Sequence, residues 1–251
     1  MFAEKGIAPP TNWEELRAVA KALTTDERFG FGITPQVNYY LPFVASAGGN
    51  FVSENGIGQL DTEGHAKALQ LLVDLFVNDK SASSPQMVGA GWDGEMFAKK
   101  QVAMVYGGSW ITGVLGSEEG LDVGIVPMPA LNSEASMLFT AGWVISSKSE
   151  HPEAAMDFIQ FLSSDDELVT GNQVGLIGLP PTMSGMQKLM EAKQDDPFLS
   201  TYASIVKNGI PFGWLDPKLV DQYNKMLEVL LYKPDTTTPE KSLQDLQKEL
   251  Q

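Results

Sequence analysis

Short apolar runs alternate with longer amphipathic ones along this chain, and that alternation admits few architectures. "GFGIT", Gly30 to Thr34, and "QVAMVYG", from Gln101, read as short buried strands. "DVGIVPMPA" reads as a strand broken by Pro127 and Pro129, and "TAGWVISS" as another. The helical stretches between them are longer and show the 3.6-residue period. In "PPTNWEELRAVAKAL", Trp13, Leu16, Val19, Ala20 and Leu23 fall on one face. Asn12 with Glu15 has capping-box spacing, as does Thr11 with Glu14. "DTEGHAKALQLLVDLFVND" carries Ala68, Leu72, Leu75 and Phe76 on its stripe. "NYYLPFVASAGG" reads as a helix stopped by Gly48 and Gly49, and "GWDGEMFAKK" as a short amphipathic helix. "HPEAAMDFIQFLSSDDE" has Pro152 near its first turn and Ala155, Phe158, Ile159 and Leu162 on its inner face. "NQVGLIGLPPTM" reads as a Gly/Pro loop. Further helices are expected over roughly 199–206 and 218–231 and in "TTTPEKSLQDLQKEL". Strands alternating with helices in this way predict an α/β fold with a mainly parallel sheet flanked by helices.

Charge narrows the partners. Lysine plus arginine number 17 against 32 aspartates and glutamates, a formal net charge of −15. Such a surface repels a phosphate backbone and anionic lipid, so nucleic acid is not an expected partner and direct membrane insertion is not expected either. No apolar run approaches the roughly 20 residues of a spanning helix. With no cysteine in the chain, disulfides, thiolate catalysis and cysteine-ligated metals are excluded. The opening "MFAEKGIAPPTNWEEL" lacks the basic start and apolar core of a signal peptide, consistent with Met1 being an internal methionine of a longer chain.

"QVAMVYGGSWITG" raises the question of a phosphate loop, because a glycine pair follows a strand. It lacks the lysine and hydroxyl of a P-loop and the third glycine and later acid of a dinucleotide turn. Trp110 also stands where phosphate needs open backbone. Gly107 and Gly108 are instead expected to let the strand end turn sharply without side-chain bulk. His65 and His151 read as solvated helix-end residues, without partners at metal-ligand spacing. Acid pairs occur at Asp165/Asp166, Asp93/Glu95 and Asp195/Asp196, where caps and solvated faces are the ordinary roles. No GxSxG elbow is present, and neither a cofactor nor a catalytic group is expected.

Aromatic placement is more informative. Trp92, Trp110, Trp143 and Trp214 all lie beside or near glycine, in "AGWDG", "GGSW", "AGWVI" and "FGWLD". An indole at a strand end next to glycine is placed to line a cleft, and its flat face complements the C–H face of a sugar ring.

"PPTNWEELRAVAKAL", "FAKKQVAMVYGGSW", "AGWVISSKSEHPEAAMDFIQFLSSDD" and "GLIGLPPT" follow one another in an order that resembles the maltose-binding-protein-like family of extracellular solute-binding proteins of bacterial ABC importers. The resemblance covers nearly the whole chain and rests on the order and spacing of the motifs. It implies a periplasmic-binding-protein-like fold, in which two α/β lobes close over a sugar or oligosaccharide, no reaction is catalysed, and an ABC permease reads the closed state. An extracytoplasmic location follows, periplasmic or at the cell surface. Family members carry about a hundred further residues ahead of the segment like "MFAEKGIAPP", roughly one domain's worth. The resemblance therefore implies one complete lobe, residues 1–138 and 188–251, plus a crossing segment and fragment of the N-terminal-type lobe over 139–187. The rest of that lobe would be supplied by a missing or complementary chain segment. The middle segment, with Trp143 and the helix around Phe158, is then expected to be poorly covered.

By position, the resemblance makes Trp110 the sugar-stacking tryptophan. It places Gln36, Asn38 and Tyr39 on the turn that offers polar and aromatic groups. Trp143 follows the glycine of the crossing strand, and Phe212, Trp214 and Asp216 lie on the returning segment. Asp216, ahead of Pro217, reads equally well as a cap or turn residue. Trp92 is a further candidate, with packing under the "EMF" helix as its other reading. Some members carry a second aromatic stack early in the next helix, where "KLVDQYNK" has no tryptophan, so Trp214 would have to substitute. Two other readings stand beside sugar binding: a glycoside-processing enzyme using acids such as Asp93 or Asp216, and a scaffold or interaction fragment without ligand.

Overall fold

The computed structural model describes residues 1–50, 52–53, 56–57, 60, 62–111, 114, 121–173, 178–196, 198–211 and 217–249. The chain divides into two compact units, Met1–Leu138 with Ile205–Gln251, and Phe139–Ser204. In chain order the elements are α1 (Phe2–Lys5), α2 (Trp13–Leu23), β1 (Phe29–Gly32), α3 (Val37–Ser46), β2 (Val52–Ser53), β3 (Gly56–Ile57) and α4 (Glu63–Val73). The last continues as a π-helical turn over Asp74–Asn78. Then come β4 (Ala82–Ser83), α5 (Pro85–Val88), α6 (Asp93–Ala98), β5 (Val102–Val105), a 3-10 turn (Ser109–Ile111) and β6 (Ser136–Leu138). The second unit holds α7 (Pro152–Leu162), α8 (Asp165–Gln173) and α9 (Met183–Ala192), and α10 (Leu199–Val206) leads back to the first. β7 (Gly209–Pro211), α11 (Pro217–Tyr232) and α12 (Pro239–Glu249) complete the chain.

The larger unit is built on a parallel sheet in the order β4-β1-β5. Phe31 pairs with Ala82 on one side and Met104 on the other. α2 packs directly on β1, since a Cβ at Gly30 would collide with the Ala20 carbonyl. The predicted stripe of α2 is buried in full. Its cap forms as the spacing predicts: the Glu15 N–H donates to Asn12 Oδ1 at 2.9 Å. The Glu15 carboxylate reaches back to Thr11, accepting from its N–H and hydroxyl at 2.8 Å each. These bonds hold the Glu15 carboxyl below the usual glutamate range. Tyr223 and Leu227 of α11 and Leu243 of α12 close the same core. Elsewhere in this unit β6 pairs in parallel with β7, Ser136 opposite Gly209.

Two expected strands do not form. Residues 121–129 take no regular structure, and only Ala130 makes a parallel bridge, to Asn12. Pro127 and Pro129 have no N–H to give a ladder, and the paired strand comes later, at β6. "TAGWVISS" is likewise not a strand. Among the described residues of its unit there is no strand for it to pair with. The stretch read as a loop begins in helix, because α8 runs to Gln173. α9, which the pattern did not suggest, starts from a Thr182 cap, whose hydroxyl accepts the Gly185 N–H at 3.0 Å.

In the second unit α7 forms where expected but buries none of its residues. Ala155, Ile159 and Leu162 are half-buried, and Phe158 is 60% exposed. α8 and α9 are tied by Asp165, which accepts the Thr182 hydroxyl at 2.6 Å, and by the Lys188–Asp166 ion pair at 2.6 Å.

Candidate functional site

Side chains at the carboxyl ends of parallel strands face one edge of an open α/β sheet, and that edge is where ligands bind in such sheets. Here the chain leaves β1 into α3, and leaves β5 into the 3-10 turn that carries Trp110. The two exits are neighbours: Gly32 pairs with Val105, and the Tyr106 N–H donates to the Gly32 carbonyl at 2.8 Å. α6 runs back into β5, so its first turn lies at the same edge.

The β1 exit positions three of the predicted residues. Gln36 is exposed and caps α3 through its carbonyl, which accepts from the N–H groups of Tyr39 and Tyr40 at 3.0 Å. Its side chain makes no capping bond. Asn224 of α11 does that work, accepting the Val37 N–H at 2.8 Å. Asn38 and Tyr39 are half-buried in the first turn. The Tyr39 ring meets Tyr106 edge-on at a centroid distance of 5.9 Å, and Tyr106 meets Phe43 at 5.5 Å.

At the β5 exit, Trp110 is 44% exposed. Its indole folds back over Gly108, where a Cβ would run into the ring. Gly107 is equally constrained, since a Cβ there would strike Ile111 and come within 2.8 Å of Asp93 Oδ2. Neither glycine takes a positive φ, so the turn after β5 draws on their lack of a side chain and not on left-handed backbone. These positions need glycine for the space that Trp110, Ile111 and Asp93 occupy. Trp92 repeats the device at the start of α6, its indole lying over Gly94.

Sequence reading named Asp93 only as an acid of the glycoside-processing alternative, yet it joins the two exits. Only 3% of it is exposed, and its Oδ2 accepts the Tyr39 hydroxyl at 3.1 Å. Burial pushes the Asp93 carboxyl above the usual aspartate range, and hydrogen bonds from Tyr39 and the N–H groups of Asp93 and Gly94 only partly offset this. Burial, then the Asp93 charge, raises the Tyr39 phenol well above its ordinary value. Asp93 follows Trp92 in "AGWDGEMFAKK", but an aspartate at a helix start reads first as a cap.

Four predicted residues remain. Trp143 lies in the second unit, 57% exposed on a segment without regular structure. Phe212, Trp214 and Asp216 lie outside the described residues. His65, expected to be solvated, is fully buried, with Nδ1 2.9 Å from the Tyr223 hydroxyl. The local pattern missed it because the residue that buries it lies on α11. The other acid pairs have local partners. Glu95 pairs with Lys99 at 2.6 Å, and Asp196 accepts the Phe198 N–H at 2.9 Å. Among the described residues no cluster of three or more His, Asp or Glu side chains could hold a metal ion. No helix among them is long and apolar enough to cross a membrane.

The sequence profile described as bacterial extracellular solute-binding protein matches residues 1–168. Solved structures share the fold over nearly the whole chain. An ABC substrate-binding protein from Listeria monocytogenes in complex with cycloalternan superposes with a TM-score of 0.81 at 18% identity, covering 99% of this chain and 66% of its own. The Thermus thermophilus maltotriose-binding protein, bound with maltotriose, gives 0.79 at 24% identity over 96% of this chain and 66% of its own. Maltose-bound T. maritima MalE3 gives 0.81 at 24% identity over 99% and 67%. The chain thus spans about two thirds of the length of the structures it matches.

Proposed function

Because this chain belongs to the bacterial extracellular solute-binding protein family, with a helix and parallel-sheet architecture that forms part of a periplasmic-binding-protein fold, we propose that it binds an oligosaccharide for an ABC importer and catalyses no reaction. The observation that carries the reading is the exposed Trp110 indole, held flat over Gly108 at the carboxyl end of β5, beside the Tyr39 turn at the end of β1. A fixed aromatic platform flanked by polar groups is what a sugar ring requires. Gln36, Asn38 and Tyr39 are proposed to meet the sugar's hydroxyl groups. Trp92, Trp143, Phe212, Trp214 and Asp216 are proposed as further lining residues once the site is closed. The sugar-bound relatives support this ligand class.

In the same reading, residues 1–138 and 188–251 are the C-terminal-type lobe, and 139–187 are the crossing segment and part of the partner lobe. Closure of the two lobes around the sugar would be the signal read by the permease, in an extracytoplasmic setting. The sheet of the partner lobe is the surface proposed to cover Phe158 and Phe161, which are 60% and 56% exposed.

Tryptophan fluorescence and calorimetry against maltose, maltotriose and other sugars test the proposal. A reversible shift without product is expected, with weak affinity, because few contacts offset the entropy lost on association. Trp110→Ala should weaken binding about tenfold, the worth of one aromatic stacking contact. Normal binding by that variant would remove Trp110 from the site. Released monosaccharide would mark a glycoside-processing enzyme instead.

A further inference from the structure

We propose that Asp93 fixes the hydrogen-bonding polarity of Tyr39 at the carbohydrate site, so that Tyr39 reads sugar hydroxyls that donate. The inference rests on the carbohydrate reading above and deepens it. A phenol has one proton and two lone pairs, whereas an ionised carboxylate only accepts. The Tyr39 proton is therefore committed to Asp93 Oδ2, 3.1 Å away. Anything that approaches the phenol oxygen from solvent meets an acceptor.

Three features hold this arrangement. The Asp93 carboxylate is buried, only 3% of the residue being exposed, so it has little freedom to turn away. Gly107 leaves the room, since a side chain there would crowd Oδ2. Tyr106, the residue that follows β5, sets the Tyr39 ring by its edge. A charge-assisted bond of this kind is also stronger than a neutral one, which stiffens the phenol as a receptor. Asp93 is thus a positioning residue for Tyr39, and it joins the β1 and β5 exits into one site.

The experiment measures maltotriose binding to the full chain and to Trp110→Ala, Tyr39→Phe, Asp93→Asn and the Tyr39→Phe/Asp93→Asn double variant. Asparagine keeps the shape of Asp93 but can donate, so the phenol proton is no longer committed. Tyr39→Phe and Asp93→Asn are each expected to weaken binding by about fivefold to tenfold, the worth of one such hydrogen bond. The double variant should bind no more weakly than Tyr39→Phe alone. Additive losses, or a normal affinity for Asp93→Asn, overturn the inference and leave the Trp110 platform standing. No maltotriose binding by the unaltered chain overturns the carbohydrate reading and this inference together. A readout on the unaltered chain guards against an Asp93 variant that does not fold. With tyrosines labelled at the ring carbon that bears the hydroxyl, the Tyr39 resonance should titrate well above the ordinary phenol value of about 10. Ionisation of Tyr39 near that value would show a phenol not bound to the carboxylate, and would overturn the proposal.

Discussion

His65 lies in the first turn of α4, fully buried, with its Nε2 3.3 Å from the Asn50 carbonyl oxygen and its Nδ1 2.9 Å from the Tyr223 hydroxyl. A carbonyl only accepts, so this network assigns the ring proton to Nε2 and makes Nδ1 the acceptor for Tyr223. The Tyr40 hydroxyl donates to the backbone carbonyl of His65 at 2.8 Å, joining α3 to the same knot. Burial lowers the pKa of His65 from 6.5 to about 4, the bond to Asn50 offsetting only part of that. The sign follows from linkage. Between these two values the unfolded chain binds a proton that the folded chain does not. The His65 contribution is therefore fully present above about 6.5 and is lost as pH falls toward 4. The difference corresponds to roughly 3 kcal/mol across that window. Urea unfolding at a series of pH values should show the unaltered chain losing stability with acid more steeply than His65→Gln. Equal slopes would show that His65 titrates normally and is not buried as described.

α2 lies so close on β1 that the space at Gly30 is already occupied by the Ala20 carbonyl. A backbone group cannot rotate away as a side chain can, so Gly30→Ala must push the helix off the sheet. The expected cost is about 3 kcal/mol, the upper end of ordinary overpacking, read as a fall in the urea midpoint at unchanged slope. A shift of a few tenths would mean that the helix gives way freely. The face that makes this contact was legible in the sequence, because Trp13, Leu16, Val19, Ala20 and Leu23 repeat at a local period that needs no knowledge of the partner. Gly30 itself read only as part of a short strand, since its constraint comes from another element. The same division runs through the rest. The β1 and β5 strands and the α4 stripe were readable, whereas residues 121–129 carried strand-like composition interrupted by two prolines that give a ladder no donor. The need for residues without side-chain bulk at Gly107 and Gly108 was readable, but which groups fill that space, Trp110, Ile111 and Asp93, was not. The bond between Tyr39 and Asp93 spans 54 residues, and no periodic pattern reports a contact of that kind.

The two units differ in how far each builds a core of its own. The larger one buries a continuous cluster from α2, β1, α3, α4, α11 and α12. In Phe139–Ser204 the large hydrophobic side chains buried among the described residues are Leu168, Leu189 and Leu199, too few for independent stability on the scale of a small domain. α7 has a first-turn proline and an apolar stripe, yet Phe158 and its neighbour Phe161 stay largely exposed. A stripe of that kind stabilises a helix only when something covers it, at about 1.5–3 kcal/mol for each large side chain buried. The uncovered chain should therefore open locally at α7 well before it unfolds globally. Hydrogen exchange is expected to show α7 amides weakly protected while those of β1 and β5 are retained to the global limit. A dye that lights up on exposed apolar surface should bind the chain strongly. Phe158→Ser with Phe161→Ser should remove most of that signal and leave the main thermal transition of the larger unit in place, because neither side chain belongs to its core. Strong protection of α7 in the unaltered chain, or dye binding untouched by the two substitutions, would show that the helix already has a cover, and would remove the basis for assigning one to the partner lobe.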